Sequence, residues 1–216
     1  FNTSLAAANH PVRWQISEGL QNPESSYYDG ESGFIFLSHV NGPGAEEDGN
    51  GFISKITLKG EVISEKWFAG LNAPKGLRSY QDTLWISDIN TVVGVSISSG
   101  KEVARHVIED AGFLNDLATG PDGTVYVSDM VNSRVYQIAN SKVSIFAEGE
   151  HLEHPNGLLV VGDRLYFTAD TGNGRKLWSL TNALGNPTLV EGAGNDPRHL
   201  TNVNEKLYFS AKIIFL

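Results

Sequence analysis

An all-β chain of repeated four-stranded sheets is the fold class the sequence predicts, and three observations predict it. A short apolar and aromatic run recurs five times, at residues 34–39, 84–88, 125–129, 165–170 and 207–211. From the second run onward the starts are 84, 125, 165 and 207, giving steps of 41, 40 and 42 residues. No stretch of 12 or more residues carries a helical hydrophobic period. Four short strands every ~40 residues is the period of a β-propeller blade. One such sheet cannot bury both of its faces alone, so neighbours must stack around an axis.

Each part of the repeat has its counterpart in the next. The runs end on Ser, Thr, Ala or Asp, as in Leu84-Trp85-Ile86-Ser87-Asp88 and Val125-Tyr126-Val127-Ser128-Asp129. Residues 76–79, 116–119, 157–160 and 199–202 form the strand before the run. Residues 92–97, 134–138 and 176–180 form the strand after it, and 104–108, 142–146 and 187–190 the fourth. Turn residues separate them, among them Asp29-Gly30, Ser99-Gly100, Pro121-Asp122-Gly123 and Gly162-Asp163. The first step, from 34 to 84, is 50 residues, and the Gly-, Asn- and acid-rich stretch 41–51 reads as a longer loop. Residues 12–16 read as an outer strand and 212–216 as a third strand. The N-terminal strand is therefore expected to complete the last blade and close a ring of five. The alternative is an incomplete six-bladed propeller. Residues 1–11 read as a flexible segment and 12–216 as one domain.

Composition narrows the function classes. Sixteen Lys+Arg against 25 Asp+Glu give 16 − 25 = −9, which argues against nucleic acid or an anionic membrane as the main partner. Hydrophobic residues at 40% exclude a disordered chain. No apolar run reaches the ~20 residues of a membrane span. The absence of Cys excludes disulfides, thiol catalysis and cysteine metal sites. No signal peptide is visible, and a start at Phe1 suggests a processed or trimmed product.

The links that lead into each blade's innermost strand align as Pro23-Glu24-Ser25, Pro74-Lys75-Gly76, Leu114-Asn115-Asp116, Pro155-Asn156-Gly157 and Pro197-Arg198-His199. Rotational repetition would bring Glu24, Lys75, Asn115, Asn156 and Arg198 towards one point on the axis. A carboxylate and two amide oxygens there suit Ca²⁺ or Mg²⁺ rather than Zn²⁺ or copper. Lys75 and Arg198 either hold an anionic substrate group, with His199 beside them, or pair with Glu24 in place of a metal. Asp88, Asp129 and Asp170 share one phase of the repeat and read as structural turn residues. Asp116 reads as a turn residue or as a metal or water contact. His39, His151, His154 and His199 read as loop residues, each a candidate general base. Glu46-Glu47-Asp48 reads as a solvated face, with a weak surface cation site as the alternative.

Pro23-Glu24-Ser25-Ser26-Tyr27-Tyr28, Phe113-Leu114-Asn115-Asp116, residues 121–129 and Pro155-Asn156-Gly157-Leu158 resemble the senescence-marker-protein/gluconolactonase family, which includes regucalcin. The resemblance covers residues 12–170. It implies a six-bladed propeller, one catalytic divalent metal, usually Ca²⁺, and hydrolysis of lactones or related esters. It also implies Glu24, Asn115 and Asn156 as metal ligands. The family's fourth ligand is an Asp in a Pro-Asp-Gly link, where this chain has Pro197-Arg198-His199. Residues 165–211 are similar to another propeller-type repeat, the Glu-Leu-Trp-x-x-Asp-Gly-Thr family of secreted bacterial proteins. The expected function is a metal-dependent lactone or ester hydrolase acting on a small molecule. Asp196 or Asp116 would activate water, and Lys75, Arg198 and His199 would hold substrate. The alternative is a non-catalytic propeller that binds a small ligand or protein on the same face. Family members in bacteria are often exported, so a periplasmic or secreted location is expected.

Overall fold

The computed structural model describes residues 12–181, 186–191, 193, 197, 199–203 and 206–210. Four antiparallel four-stranded meanders follow one another, and then a two-stranded hairpin. The first sheet is β1 (Pro23–Asp29), β2 (Phe34–His39), β3 (Gly51–Thr57) and β4 (Val62–Leu71). The second is β5 (Pro74–Tyr80), β6 (Thr83–Asp88), β7 (Thr91–Ser96) and β8 (Glu102–Val107). The third is β9 (Leu114–Thr119), β10 (Val125–Asp129), β11 (Arg134–Ala139) and β12 (Lys142–Glu148). The fourth is β13 (Pro155–Val161), β14 (Arg164–Asp170), β15 (Arg175–Leu180) and β16 (Thr188–Leu189). The hairpin is β17 (His199–Val203) with β18 (Lys206–Ser210). Every recurring aromatic run is the second strand of its sheet. Helix among the described residues is confined to one 3-10 turn, Glu150–Leu152, so no helix there is long and apolar enough to cross a membrane.

Stacking of sheets, not burial within one, makes the core. The first strands lie side by side in chain order, β1 against β5, β5 against β9, β9 against β13 and β13 against β17. A separate apolar cluster fills each seam. Phe36 and Ile53 meet Leu77, Leu84 and Ile86 between the first two sheets. Val92 and Ile108 meet Leu117 and Val127 in the next seam, and Val135 meets Leu158 and Phe167 in the third. Leu177 meets Leu200 in the fourth. Each fully buried Leu, Ile or Phe contributes roughly 1.5–3 kcal/mol. Second strands are accordingly buried on both faces, whereas the fourth strands β4 and β8 are mostly exposed.

The chain's beginning departs from expectation. Residues 12–16 form no strand. Trp14 instead donates its indole N–H to the Leu58 carbonyl at 2.9 Å. Its ring lies on the turn at Gly60, where φ is +83° and a Cβ would stand 2.7 Å from the ring. The amphipathic indole finds a carbonyl and a bare backbone together on the first sheet, which holds the segment there. Residues 1–11 and 212–216 lie outside the described residues.

A single device repeats at the inner end of each sheet. The first strand carries one extra residue against the second, between Pro23 and Ser26, Pro74 and Leu77, Leu114 and Leu117, and Pro155 and Leu158. Such a bulge leaves an N–H without a ladder partner. A hydroxyl on the second strand accepts it. Ser38 takes Ser25 N–H at 2.9 Å, Ser87 takes Gly76 N–H at 2.9 Å, Ser128 takes Asp116 N–H at 3.0 Å and Thr168 takes Gly157 N–H at 2.9 Å. The same hydroxyl donates onward to the next sheet: Ser38 to the Lys75 carbonyl at 2.9 Å, Ser87 to that of Asn115, and Ser128 to that of Asn156 at 2.7 Å. Gly76 is obligatory at one crossing, because a Cβ would stand 2.5 Å from Asp116 Oδ1. Removing one buried hydroxyl strands a donor and an acceptor at once. Ser128→Ala is therefore expected to cost about 1–3 kcal/mol, read as a lower denaturation midpoint, whereas Ser144→Ala on the exposed β12 should shift it by less than ~0.5 kcal/mol.

Candidate functional site

The bulges place Glu24, Lys75, Asn115 and Asn156 at one phase of four successive inner strands. Three of these residues have their backbone carbonyls taken by the hydroxyl of the preceding sheet. What each retains for other chemistry is its side chain. Of the other predicted site residues, Asp196 and Arg198 lie outside the described residues, and His199 opens β17.

Glu24 and Lys75 dominate the electrostatics. Glu24 is half-buried, and its Oε2 has no hydrogen-bond partner among the described residues. Burial pushes its carboxyl above the usual carboxylate range. The Ser25 hydroxyl and the charge of Lys75 oppose that rise, and Asp116 adds to it. Lys75 is 5% exposed. Burial pulls its ammonium below the ordinary lysine value, against the charges of Glu24 and Asp88. Lys75 forms no direct ion pair among the described residues. Its Nζ instead donates to the Gly44 carbonyl at 3.1 Å and stands 4.8 Å from the Phe113 ring centroid. The ion-pair alternative, with Lys75 directly on Glu24, is therefore not the arrangement adopted.

Asp116 is committed to bracing the inner strands. Its Oδ1 accepts Leu117 N–H and its Oδ2 accepts Leu158 N–H of the next sheet, both at 2.9 Å. The Arg78 guanidinium lies 3.6 Å from Oδ2, 5.6 Å over the Tyr27 ring, and donates to the Leu77 and Leu158 carbonyls. Asn156 turns its amide nitrogen to Met130 Sδ at 3.4 Å. His154, held at φ +58°, bonds the Met130 carbonyl through Nδ1 at 2.8 Å. Asn115 side-chain atoms have no hydrogen bond within the described residues, which leaves its amide oxygen available. Among the described residues no group of three or more His, Cys, Asp or Glu forms a cation cage.

No family model matches the chain, and no curated protein matches it. Solved structures do. A catalytically inactive virginiamycin B lyase from Staphylococcus aureus, with quinupristin, superposes with a TM-score of 0.62 at 17% identity, covering 93% of this chain and 81% of that one. A gluconolactonase from Xanthomonas campestris gives 0.63 at 15% identity, over 87% and 68%. A streptogramin B lyase gives 0.59 at 15%, over 91% and 78%. The fold is a β-propeller. Identity this low carries the fold and not the chemistry.

In the first three blades of this propeller the residue that closes the aromatic strand holds the link into its own blade. Asp88 accepts Asn72 and Ala73 N–H at 2.9 and 2.7 Å, and Asp129 accepts Gly112 and Phe113 N–H at 2.8 and 3.0 Å. Asp170 accepts Gly172 N–H at 3.1 Å, after its strand. His39 stands at the same phase in the first blade. It is buried at the end of β2, not in a loop, and stacks on Phe52 with ring centroids 4.3 Å apart. Both ring nitrogens are engaged, Nδ1 by Gln21 N–H at 3.2 Å and Nε2 with the Ser54 hydroxyl at 2.9 Å. That leaves no free nitrogen for general-base work. Burial pulls its imidazole from 6.5 down to about 4. The unfolded chain thus takes up the proton first as pH falls. Stability supplied by the neutral ring is complete above pH ~6.5 and is lost through pH ~4, on the order of 3 kcal/mol. Melting followed from pH 7.5 to 4 should show this loss, and His39→Gln should flatten that part of the profile while lowering stability at pH 7.5.

Proposed function

We propose that the chain is a hydrolase of small lactones or related esters, working at the propeller hub on a divalent cation held by Glu24, Asn115 and Asn156. The observation that carries this reading is the buried, partnerless Glu24 Oε2. A desolvated carboxylate oxygen without a donor is costly unless a cation or ligand completes it. The donor set fits such a group: one carboxylate and two amide oxygens, all hard, at one phase of the repeat. A bound Ca²⁺ or Mg²⁺ would polarise a substrate carbonyl and stabilise the oxyanion that develops on it.

The chain's own residues supply the rest. Lys75 presents an ammonium with spare donors, suited to a carboxylate or phosphate on the substrate. Phe113 gives that ammonium an aromatic wall and excludes water from it. Asp116 holds neighbouring inner strands in register through Leu158 and Arg78, which sets the spacing of Asn115 and Asn156. Asp196 is the remaining candidate to activate water. A gluconolactonase and two lyases share the fold, so the fold is compatible with an enzymatic hub of this type but does not choose the reaction. One observation favours the second reading, a ligand-binding propeller without catalysis: the Asp116 carboxylate is already filled by two N–H donors and an arginine.

Ca²⁺ titration of the melting temperature tests the proposal. At one hundred times the dissociation constant the gain is about 2.7 kcal/mol, or roughly 5–10 °C for a chain of this size. Glu24→Gln should abolish that shift and the hydrolysis of a simple aldonolactone together. Absence of any shift with Ca²⁺, Mg²⁺ or a chelator would remove the cation from the reading. A shift without hydrolysis would favour the ligand-binding alternative.

A further inference from the structure

The long first loop, residues 40–50, is fastened at its base and only lightly held at its tip. At the base, Val40 and Asn41 N–H bond the Asn22 and Gln21 carbonyls at 3.1 and 3.0 Å. Asn22 Nδ2 reaches the Gly42 carbonyl at 3.1 Å, and Asn41 Nδ2 closes the loop on the Asn50 carbonyl at 3.0 Å. Residues 43–50 are exposed. Three contacts hold this outer part to the second blade. Lys75 Nζ donates to the Gly44 carbonyl at 3.1 Å, Gly49 N–H donates to Asn72 Oδ1 at 3.1 Å, and Asn90 Nδ2 reaches Glu47 Oε1 at 3.5 Å. The loop therefore bridges the seam of the first two blades at the end where Glu24 and Lys75 lie. It lies over Lys75, the one lysine found buried among the described residues.

We propose that residues 40–50 are a strap latched by Lys75, and that a small oxyanion entering the hub takes Lys75 from the Gly44 carbonyl and releases the strap. An ammonium has three donors, and among the described residues this one uses a single neutral acceptor. A carboxylate or phosphate brings an ionised acceptor and full charge–charge attraction to the ammonium, which the neutral Gly44 carbonyl does not. The Gly44 carbonyl thus stands in for the ligand oxygen when the strap is closed. Glu46, Glu47 and Asp48 ride on the strap. Their charges oppose an anion bound beneath them, so ligand binding and strap opening favour one another. Glycines at 42, 44 and 49 supply freedom at both ends, Gly49 with φ +68°. The inference rests on the hub being a ligand site, but it needs neither a metal nor hydrolysis.

Glutamyl endopeptidase reads the strap directly, because Glu46 and Glu47 are cleavage sites on it, and fragment mass distinguishes them from other glutamates. In the open-state regime, cleavage rate tracks the open population. Gluconate and inorganic phosphate are the probes, with chloride at equal ionic strength as control. Cleavage after Glu46 or Glu47 in the intact chain should rise about fivefold or more with either probe and not with chloride. Lys75→Met should cleave at least about tenfold faster without probe and ignore both probes. Asn72→Ala, which loosens the strap without touching Lys75, should cleave faster yet keep the probe response, and carries the test if Lys75→Met fails to fold. Equal cleavage of Lys75→Met and the parent chain would overturn the latch. A parent chain indifferent to both probes would overturn gating by an oxyanion, whatever the Ca²⁺ titration and lactone assays give.

Discussion

One hydroxyl per blade, on the second strand, ties the architecture together. It accepts the N–H that the bulge in its own inner strand leaves unpaired, and in the first three blades it donates to a carbonyl of the next blade. Both groups lie where water is excluded, so neither can go unpaired without cost. The bond also fixes rotation. It ties the lead-in residue of each blade to a set point on its predecessor, through Lys75, Asn115 and Asn156 in turn. Apolar clusters hold the seams shut but are non-directional, and alone they would tolerate sliding. The hydroxyls give the stack its phase, and the phase lines up the residues at the hub.

Most of the fold was legible in the sequence because the period and the aromatic strand are both consequences of stacking. A strand buried on two faces must be apolar along its length, and its recurrence every ~40 residues marks one sheet each time. The hydroxyl role was not read, although Ser38, Ser87, Ser128 and Thr168 stand in the very runs that revealed the repeat. A single polar residue at fixed phase in an otherwise apolar strand was the available signal. Residues 12–16 misled for a definite reason. Val12-Arg13-Trp14-Gln15-Ile16 alternates with period two, which a strand requires, but alternation does not distinguish a paired strand from an extended segment held by one indole.

The candidate site was legible in part. Placing Glu24, Lys75, Asn115 and Asn156 at one phase needed only the alignment of lead-in links. How their side chains are used depends on neighbours far away in the chain. Asp116 is filled by Leu158 N–H from 42 positions later, and Lys75 is covered by Gly44 from 31 positions earlier. His39 illustrates the same limit. It occupies the position that Asp88 and Asp129 hold in later blades and serves as their acceptor equivalent, which a reading of histidine as a loop base could not anticipate.

The solved propellers of like fold include a lactonase and lyases, so the disc itself does not choose a reaction. What this chain adds is a carboxylate and an ammonium, both drawn out of water at the same end of the hub and not in contact with one another. A closed ion pair there would satisfy both groups and leave nothing for a ligand. Held apart, each keeps unused capacity, an acceptor on Glu24 and donors on Lys75. Such separation costs stability, and the staple hydroxyls and the Gly44 contact are what sustain it. On the reading proposed above, a hub that holds opposite charges apart and largely out of water suits a ligand whose own charge or dipole bridges them.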